Sequence, residues 1–278
     1  MSALRTSQHL THDSASGDNS TTMERFGFSC ERGGAHSART MMLGELRTLL
    51  AYVSEVDAPK IAYLDAVQSA NCLGKRSAKT RVLTYRHLVD LYSLDPSFPL
   101  FRALRFFWQR DVEGQPLLAA LCAYSRDPIF RGTASFLLEA QEGATVRREA
   151  VEEFIDSQEP GRFSTATLKS TAQNVNSSWT QSGHLCGRAR KIRTRPTPTP
   201  GSVSFALLLG YVTGLRGESL FHSEYTRILE TSFERNIDLA VVASQRDWIS
   251  LKRVGKVVEV LFPRLITAQE MECLREPS

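Results

Sequence analysis

Residues 164–195 read STATLKSTAQNVNSSWTQSGHLCGRARKIRTR, which is a helix-like pattern followed by a short alternating one. Ser164 is a suitable N-cap, because its hydroxyl can accept a hydrogen bond from the free backbone N–H groups of a first helical turn. Apolar side chains then recur at helical spacing and form one stripe; they are Leu168, Ala172, Val175 and Trp179. The pattern therefore predicts a helix from Thr165 to about Trp179 that packs this stripe inward.

The face opposite this stripe is polar and almost uncharged. It carries Ser170, Gln173, Asn174 and Ser177, with Thr167 and Lys169 on its flanks. Short amides and hydroxyls hydrogen-bond base edges, Asn and Gln pair well with adenine, and both kinds of group also bond phosphates. Exposed helix surfaces usually prefer the stronger helix formers Glu, Lys and Arg, so this composition favours contact with a ligand over an ordinary solvated surface.

A basic hairpin follows the predicted helix. Residues 184–195 alternate loosely between apolar and polar, and Gly187 can turn the chain. A polar helix followed by a basic hairpin is the winged-helix layout, in which the helix would enter the major groove of DNA. The wing would then lie along phosphates or in the minor groove.

Charge along the chain is strongly segregated. Between residues 160 and 200 there are seven Lys and Arg and no Asp or Glu. The rest of the chain contains the other 27 of the 34 cations and all 30 acids. Such segregation indicates a surface that meets a polyanion, and the alternative is a solubilising loop. If about four to six of these cations meet phosphates, log K for binding should fall with log salt at a slope of about −4 to −5.

The remaining sequence predicts helices around a substantial core. Hydrophobic residues make up 42 % of the 278 residues, which is typical of a globular protein. We predict a disordered tail over residues 1–35, an N-terminal helical domain over 36–142 and a C-terminal helical domain over 143–278. The predicted fold class is mainly α, a helical bundle with helix-turn-helix and winged-helix-like elements and short β-hairpins.

Three local features outside the basic stretch support the predicted helical fold. A helix is predicted to begin at Ser37 and run to about Val56. Farther along, Gly74 ends one helix and Ser77 caps the next, which is the outline of a helix-turn-helix unit with a basic turn. The apolar run 203–215 predicts a helix buried on all sides.

Sixteen positions are predicted to contact DNA. The cations are expected to hold phosphates, and the uncharged side chains of the polar helix face are expected to lie toward the groove. In chain order the positions are Lys75, Arg76, Lys79, Arg162, Ser164, Thr167, Lys169, Ser170, Gln173, Asn174, Ser177, Arg188, Arg190, Lys191, Arg193 and Arg195.

Motifs for several other function classes are missing from the sequence. There is no Walker A sequence, no G-x-G-x-x-G, no H-E-x-x-H and no G-x-S-x-G elbow, so we predict a protein that is not an enzyme and binds no cofactor. The five cysteines include no C-x-x-C pair, and His184 with Cys186 supplies too few ligands for a metal. No stretch approaches the ~20 apolar residues of a membrane helix, which favours a cytoplasmic protein without membrane contact.

Several short strings, taken in order, resemble a known family. They are SARTMML (37–43), NCLGK (71–75), TYRHL (84–88), LYSLD (91–95), SWTQSG (178–183) and LGYVTG (209–214), followed by Arg216-Gly217. Over residues 37–275 the chain resembles the BrxA family, the small accessory component of BREX (bacteriophage exclusion) defence systems. The resemblance implies a non-enzymatic, mainly helical bacterial protein with winged-helix character that binds DNA. It also implies partners, namely a BREX methyltransferase, an ATPase and an alkaline-phosphatase-like protein.

The leading hypothesis from these observations is an accessory factor of phage defence that binds double-stranded DNA. An RNA-binding protein of similar helical build is the first alternative, because basic helices do not distinguish DNA from RNA. The second alternative is an interaction scaffold, in which the basic stretch docks on an acidic surface of another defence protein.

Overall fold

The computed structural model describes residues 22–29, 33–255 and 257–275 and confirms a mainly helical fold with two small antiparallel sheets. The α-helices, in order, are α1 Leu43–Tyr52, α2 Lys60–Gln68, α3 Ala78–Tyr92, α4 Pro99–Arg110, α5 Gln115–Arg126, α6 Pro128–Gly132, α7 Ala134–Glu139, α8 Arg148–Gln158, α9 Thr165–Gln181, α10 Pro200–Val212, α11 Glu224–Arg227, α12 Phe233–Gln245 and α13 Ala268–Cys273. The strands are β1 Leu185–Cys186, β2 Ile192–Arg193, β3 Ser250–Val254 and β4 Val257–Leu261. Across the described residues, no helix combines the length and apolar character needed to cross a membrane.

The start of the folded chain differs from the sequence-based expectation. Most of the predicted tail, residues 1–21 and 30–32, lies outside the described residues. Residues 22–29 pack against the core and bury Phe26 and Phe28, so ordered chain precedes Ser37.

The predicted helix start at Ser37 is wrong, since α1 begins at Leu43. Side chains from distant parts of the chain hold the intervening backbone instead. Ser178 Oγ accepts from the N–H of Met41 at 2.8 Å, and Asp127 Oδ2 accepts from the N–H of His36 at 3.1 Å. These tertiary hydrogen bonds outweigh the local capping preference of Ser37.

Helix α10 forms the centre of the fold and confirms the prediction of a helix buried on all sides. Its residues from Gly201 to Val212 are all buried, and it packs against α4, α5 and α12. A capping box of Thr199 and Ser202 satisfies its first turn, and Asp111 Oδ2 accepts from the N–H of Gly201 at 2.7 Å. Because α4 and α5 precede residue 142, α10 contacts helices from both predicted domains, and the division at 142–143 remains a prediction.

The predicted pair of helices near residue 74 is present as α2 and α3, but the predicted end of the first helix at Gly74 is wrong, since α2 ends at Gln68. Gly74 adopts a positive φ of 62° in the connection, and Ser77 Oγ accepts from the N–H of Thr80 at 3.1 Å at the start of α3. The two helices pack against each other. A role for this pair in reading DNA remains a prediction.

Two short hairpins complete the fold. In the first, Leu185 pairs with Arg193 and Cys186 pairs with Ile192. Residues 143–146 lie along the other side of β2, where Thr145 bridges to Ile192 and the N–H of Val146 donates to Lys191 O at 2.9 Å. Residues 143–146 therefore lie beside β2 on the side opposite β1. In the second hairpin, β3 pairs with β4 around Gly255.

Candidate nucleic-acid interface

Helix α9 confirms the pattern predicted for residues 165–179. Ser164 Oγ accepts from the N–H of Thr167 at 3.2 Å and caps the helix, which extends to Gln181. Ala172, Val175 and Trp179 are buried in the core, and Leu168 at the start of the stripe is partly buried.

The first half of the polar face of α9 is engaged locally. Ser164 and Thr167 belong to the cap, and Ser170 Oγ donates to Thr167 O at 2.8 Å. Lys169 extends into solvent one turn before Gln173, which is also exposed. This half of α9 therefore presents mainly Lys169 and Gln173 to the outside.

Asn174 does not belong to the exposed polar face, which corrects the prediction. Its side-chain Nδ2 donates to the backbone O of His36 at 3.0 Å and is partly buried. Two further side chains of α9 bind the same segment, because Ser178 Oγ accepts from Met41 and Gln181 Oε1 accepts from the N–H of Leu43 at 3.0 Å. The amide of Asn174 thus fastens residues 36–43 to α9 rather than facing a ligand.

Three of the seven cations in the acid-free stretch form ion pairs with acids that lie outside this stretch. Arg162 pairs with Glu159 at 2.9 Å, and Arg195 pairs with Glu142 at 3.1 Å. Arg193 pairs with Glu230. Charge segregation along the sequence is therefore partly undone in three dimensions.

Arg193 is a structural residue, and its assignment as a phosphate contact is wrong. Its side chain is only 2 % exposed, and it donates to the backbone oxygens of Leu137 at 2.9 Å and His184 at 3.1 Å, as well as to Thr194 O and Glu230. The alternation of β2 explains this, because Arg193 is paired with the buried Leu185 and shares its inward face.

The cations of the hairpin loop behave differently. The guanidinium of Arg190 donates to Thr145 Oγ1 from Nε at 3.0 Å and from Nη2 at 2.8 Å, and Lys191 Nζ donates to Gly187 O at 2.8 Å. Within the described residues, neither of them nor Arg188 has an acidic partner. Gly187 turns this loop with a φ of 88°, a conformation that favours glycine. These bonds fix the loop shape and leave its positive charge uncompensated.

An open cavity of about 740 Å³ joins this loop to α9 and to the start of α8. Its walls are residues 145–149, the loop 188–191, and the side chains of Gln173, Asn176 and Ser177. Five cationic residues line it against one acid, Glu149. Cavity walls of one charge sign concentrate the electrostatic potential, so the arrangement suits an anion.

Sequence reasoning missed several residues of this cavity, among them Arg147, Arg148 and Asn176. Arg147 is exposed, whereas Arg148 binds Glu149 at 2.6 Å and Glu152 at 3.1 Å. The adjacent arginines were a signal in the sequence, but they lie about 40 residues before the loop. Only the pairing of residues 143–146 with β2 brings them together.

The remaining predicted residues lie away from the cavity. Lys75 forms an ion pair with Glu45 at 3.1 Å, and Arg76 and Lys79 are exposed near the start of α3. None of these three lines the cavity, and neither do Arg162 and Arg195. The structure thus brings together Gln173, Ser177, Arg188, Arg190 and Lys191 from the predicted set.

A buried Ser–His–Glu cluster lies behind the hairpin. Ser182 Oγ is 2.8 Å from Nδ1 of His184, and Nε2 of His184 is 2.8 Å from Ile228 O and 3.8 Å from Glu230. Because a carbonyl oxygen only accepts, Nε2 carries the hydrogen of the neutral ring and Nδ1 is an acceptor. The one hydroxyl hydrogen of Ser182 lies between Nδ1 and the backbone O of Trp179, which is 3.0 Å from Oγ. The carbonyl of Ile228 and the hydroxyl of Ser182 thus orient a ring that is fully buried.

His184 predicts a pH dependence of stability. Burial, reinforced by the charge of Arg193, lowers the pKa of His184 from 6.5 to about 3. An unfolded chain therefore takes up a proton below pH 6.5 that the folded protein excludes, and stability falls as the pH drops from 6.5 toward 3. We expect the free energy of unfolding to be about 2 kcal/mol lower at pH 5 than at pH 7.5 from this group.

Urea denaturation at several pH values measures this effect. Between pH 7.5 and pH 5, the free energy of unfolding of the variant His184→Gln should fall by about 2 kcal/mol less than that of the parent. Equal pH dependence in the variant and the parent would contradict the assignment.

No protein-family model, curated protein or solved structure matches the chain.

Proposed function

We propose that this chain is a double-stranded DNA-binding protein that uses α9 and the 187–191 loop as its contact surface. The observation that carries the proposal is the convergence of the loop cations with Arg147 and Arg148 on one cavity beside Gln173 and Ser177. Cations without acidic partners supply affinity for phosphates, and neighbouring amides and hydroxyls can bond base edges.

The order of elements supports a winged-helix interpretation of this region. The chain runs from residues 143–146, which bridge to β2 through Thr145 and backbone hydrogen bonds, through α8 and α9 into the β1–β2 hairpin. In such a unit α9 would be the recognition helix in the major groove, and the loop 187–191 would be the wing. The start of α8, with Arg147, would lie beside the wing along the phosphates.

The number of cations without acidic partners determines how strongly DNA binding should depend on salt. Five cations on this surface lack an acidic partner in the described structure, namely Arg147, Lys169, Arg188, Arg190 and Lys191. Each phosphate contact contributes about −0.9 to the slope of log K against log salt for duplex DNA. Four or five such contacts would give a slope of about −4.

We propose, from the resemblance stated above, that this binding serves a BREX-type phage defence system. The protein would act without enzymatic activity of its own, in the cytoplasm, where it meets phage DNA and the other BREX proteins. Purification of the tagged chain from a host that carries the BREX genes should then recover the methyltransferase, the ATPase or the phosphatase-like protein. If none of these proteins is recovered with the chain from a host that restricts phage normally, the result would contradict this assignment.

A competition experiment separates the proposal from its two alternatives. A labelled 20-base-pair DNA duplex, bound to the purified protein, should be displaced by unlabelled duplex DNA at lower concentration than by structured RNA of equal length. Preferential displacement by RNA would favour the RNA-binding alternative. Failure to bind either nucleic acid at low salt would favour the interaction scaffold.

A further inference from the structure

The outer face of α3 combines two exposed aliphatic side chains with two cations. It consists of Lys79, Val82, Leu83 and Arg86, whose spacing of i, i+3, i+4 and i+7 places them on one side of the helix. Val82 is 49 % exposed and Leu83 is 38 % exposed, and both cations are exposed beside them. An apolar centre with a cation at each end is therefore open to a partner.

The positive charge of this face is not compensated within the described structure. Neither Lys79 nor Arg86 forms an ion pair there. Residues 79–89 include no Asp or Glu, and Asp90, one turn beyond Arg86, lies 3.7 Å from His87. Covering two cations without an acid would desolvate them at high cost, so a partner that covers this face has to supply acids.

The side chains between the two cations favour a protein partner over DNA. Bases are distinguished mainly by side chains that form hydrogen bonds, and Val82 and Leu83 form none. The hydroxyls of Ser77 and Thr80, at the start of the helix, lie 2.9 Å apart and bond each other in the cap. Exposed aliphatic side chains with charged residues around them are typical of protein interfaces.

We propose that the outer face of α3 binds an acidic amphipathic helix of a partner protein. Aliphatic side chains of the partner pack on Val82 and Leu83, and its carboxylates pair with Lys79 and Arg86. The two cations are about two helical turns apart, roughly 10 Å, so one partner helix reaches both with acids that flank its apolar stripe. The inference goes beyond the proposed function, because it assigns a protein partner to a different element.

Two synthetic peptides test the inference on the full chain. The first is an amphipathic helix of about 18 residues built from Glu, Ala and Leu with the leucines at helical spacing, and the second has the same composition in scrambled order. Fluorescence anisotropy should show saturable binding of the first peptide, about tenfold tighter than that of the second, because only the first aligns its leucines. Equal binding of the two peptides, or no binding, would overturn the inference.

Two variants with matched changes locate the bound peptide. Leu83→Glu should weaken binding of the amphipathic peptide by about tenfold, since it removes an apolar contact and adds a charge that repels the acids of the peptide. Val112→Glu makes a similar change at a valine that is 67 % exposed between α4 and α5, and it should bind within about twofold of the parent. Equal losses in the two variants would show that the peptide responds only to net charge, and the inference would fail.

Charge reversal separates the inference from a folding defect. The variant Lys79→Glu/Arg86→Glu should prefer a peptide in which lysines replace the glutamates, whereas the parent should prefer the glutamate peptide. A misfolded variant would bind neither peptide with this preference. If the variant keeps the preference of the parent, the partner has been placed on the wrong face.

Duplex DNA distinguishes this face from the proposed DNA contact. A saturating 20-base-pair duplex should change the affinity for the amphipathic peptide by less than about threefold, and Leu83→Glu should bind the duplex within about threefold of the parent. Displacement of the peptide by the duplex, or an equal loss of duplex affinity in Leu83→Glu, would assign α3 to DNA and overturn the inference. If the parent binds the peptide as expected but no duplex, the proposed function fails and the inference stands.

Discussion

Replacing Arg188, Arg190 and Lys191 together by alanine is expected to weaken duplex DNA binding by about 100-fold at 0.1 M salt. These cations lie on one loop, lack acidic partners among the described residues, and line the cavity beside α9. Each lost phosphate contact removes the favourable release of a counterion, so the loss should apply to all duplex sequences. Fluorescence anisotropy with two unrelated duplexes measures it.

A matched variant tests whether this loop or the helix-turn-helix pair holds the DNA. Alanine at Lys75, Arg76 and Lys79 also removes three positive charges, here from the turn before α3 and from the first turn of α3. We expect this variant to lose less than about tenfold in affinity, mostly through the change in net charge. If it loses as much as the loop variant or more, the contact surface has been placed on the wrong element. Thermal melting of both variants checks that each is folded.

Replacing Arg193 by alanine is expected to lower the free energy of unfolding by about 3–5 kcal/mol, although this residue lies only two positions after Lys191. The change leaves Glu230, which is 13 % exposed, without its cation. It also removes the donors that satisfy the backbone oxygens of Leu137 and His184. Urea denaturation at pH 7.5 measures the loss.

Arg195 provides the control for this prediction. The side chains of Arg195 and Glu142 in this ion pair are 64 % and 59 % exposed. Such exposed pairs contribute less than about 1 kcal/mol to the free energy of unfolding. Arg195→Ala should therefore unfold close to the parent. If Arg193→Ala is as stable as Arg195→Ala, then Arg193 does not have the structural role assigned to it.

Helices with strong periodicity were predictable from the sequence, and contacts between distant segments were not. The stripe of α9 and the buried run of α10 identify their helices because the apolar spacing is local. The capping pattern at Ser37 does not produce a helix start, because Ser178 and Asp127, far along the chain, hold the segment before α1 in another conformation.

The candidate interface was predictable only in part, for the same reason. Exposed loop cations and Gln173 follow from local composition. Charge alone predicts Arg193 in the interface, although the alternation that pairs it with Leu185 places it inward. Arg147 and Asn176 join the interface through the pairing of residues 143–146 with β2 and through the burial of one helix face. Counting charges along the sequence reveals neither the pairing with β2 nor the burial of this helix face.

The salt dependence of duplex binding is the most direct test of the central claim, which is that the loop cations beside α9 hold phosphates. Equilibrium titrations of a 20-base-pair duplex between 50 and 300 mM salt should give the parent a slope of about −4 in log K against log salt. The variant without Arg188, Arg190 and Lys191 should be less steep by about three units. Equal slopes for parent and variant, or binding that does not respond to salt, would contradict the account.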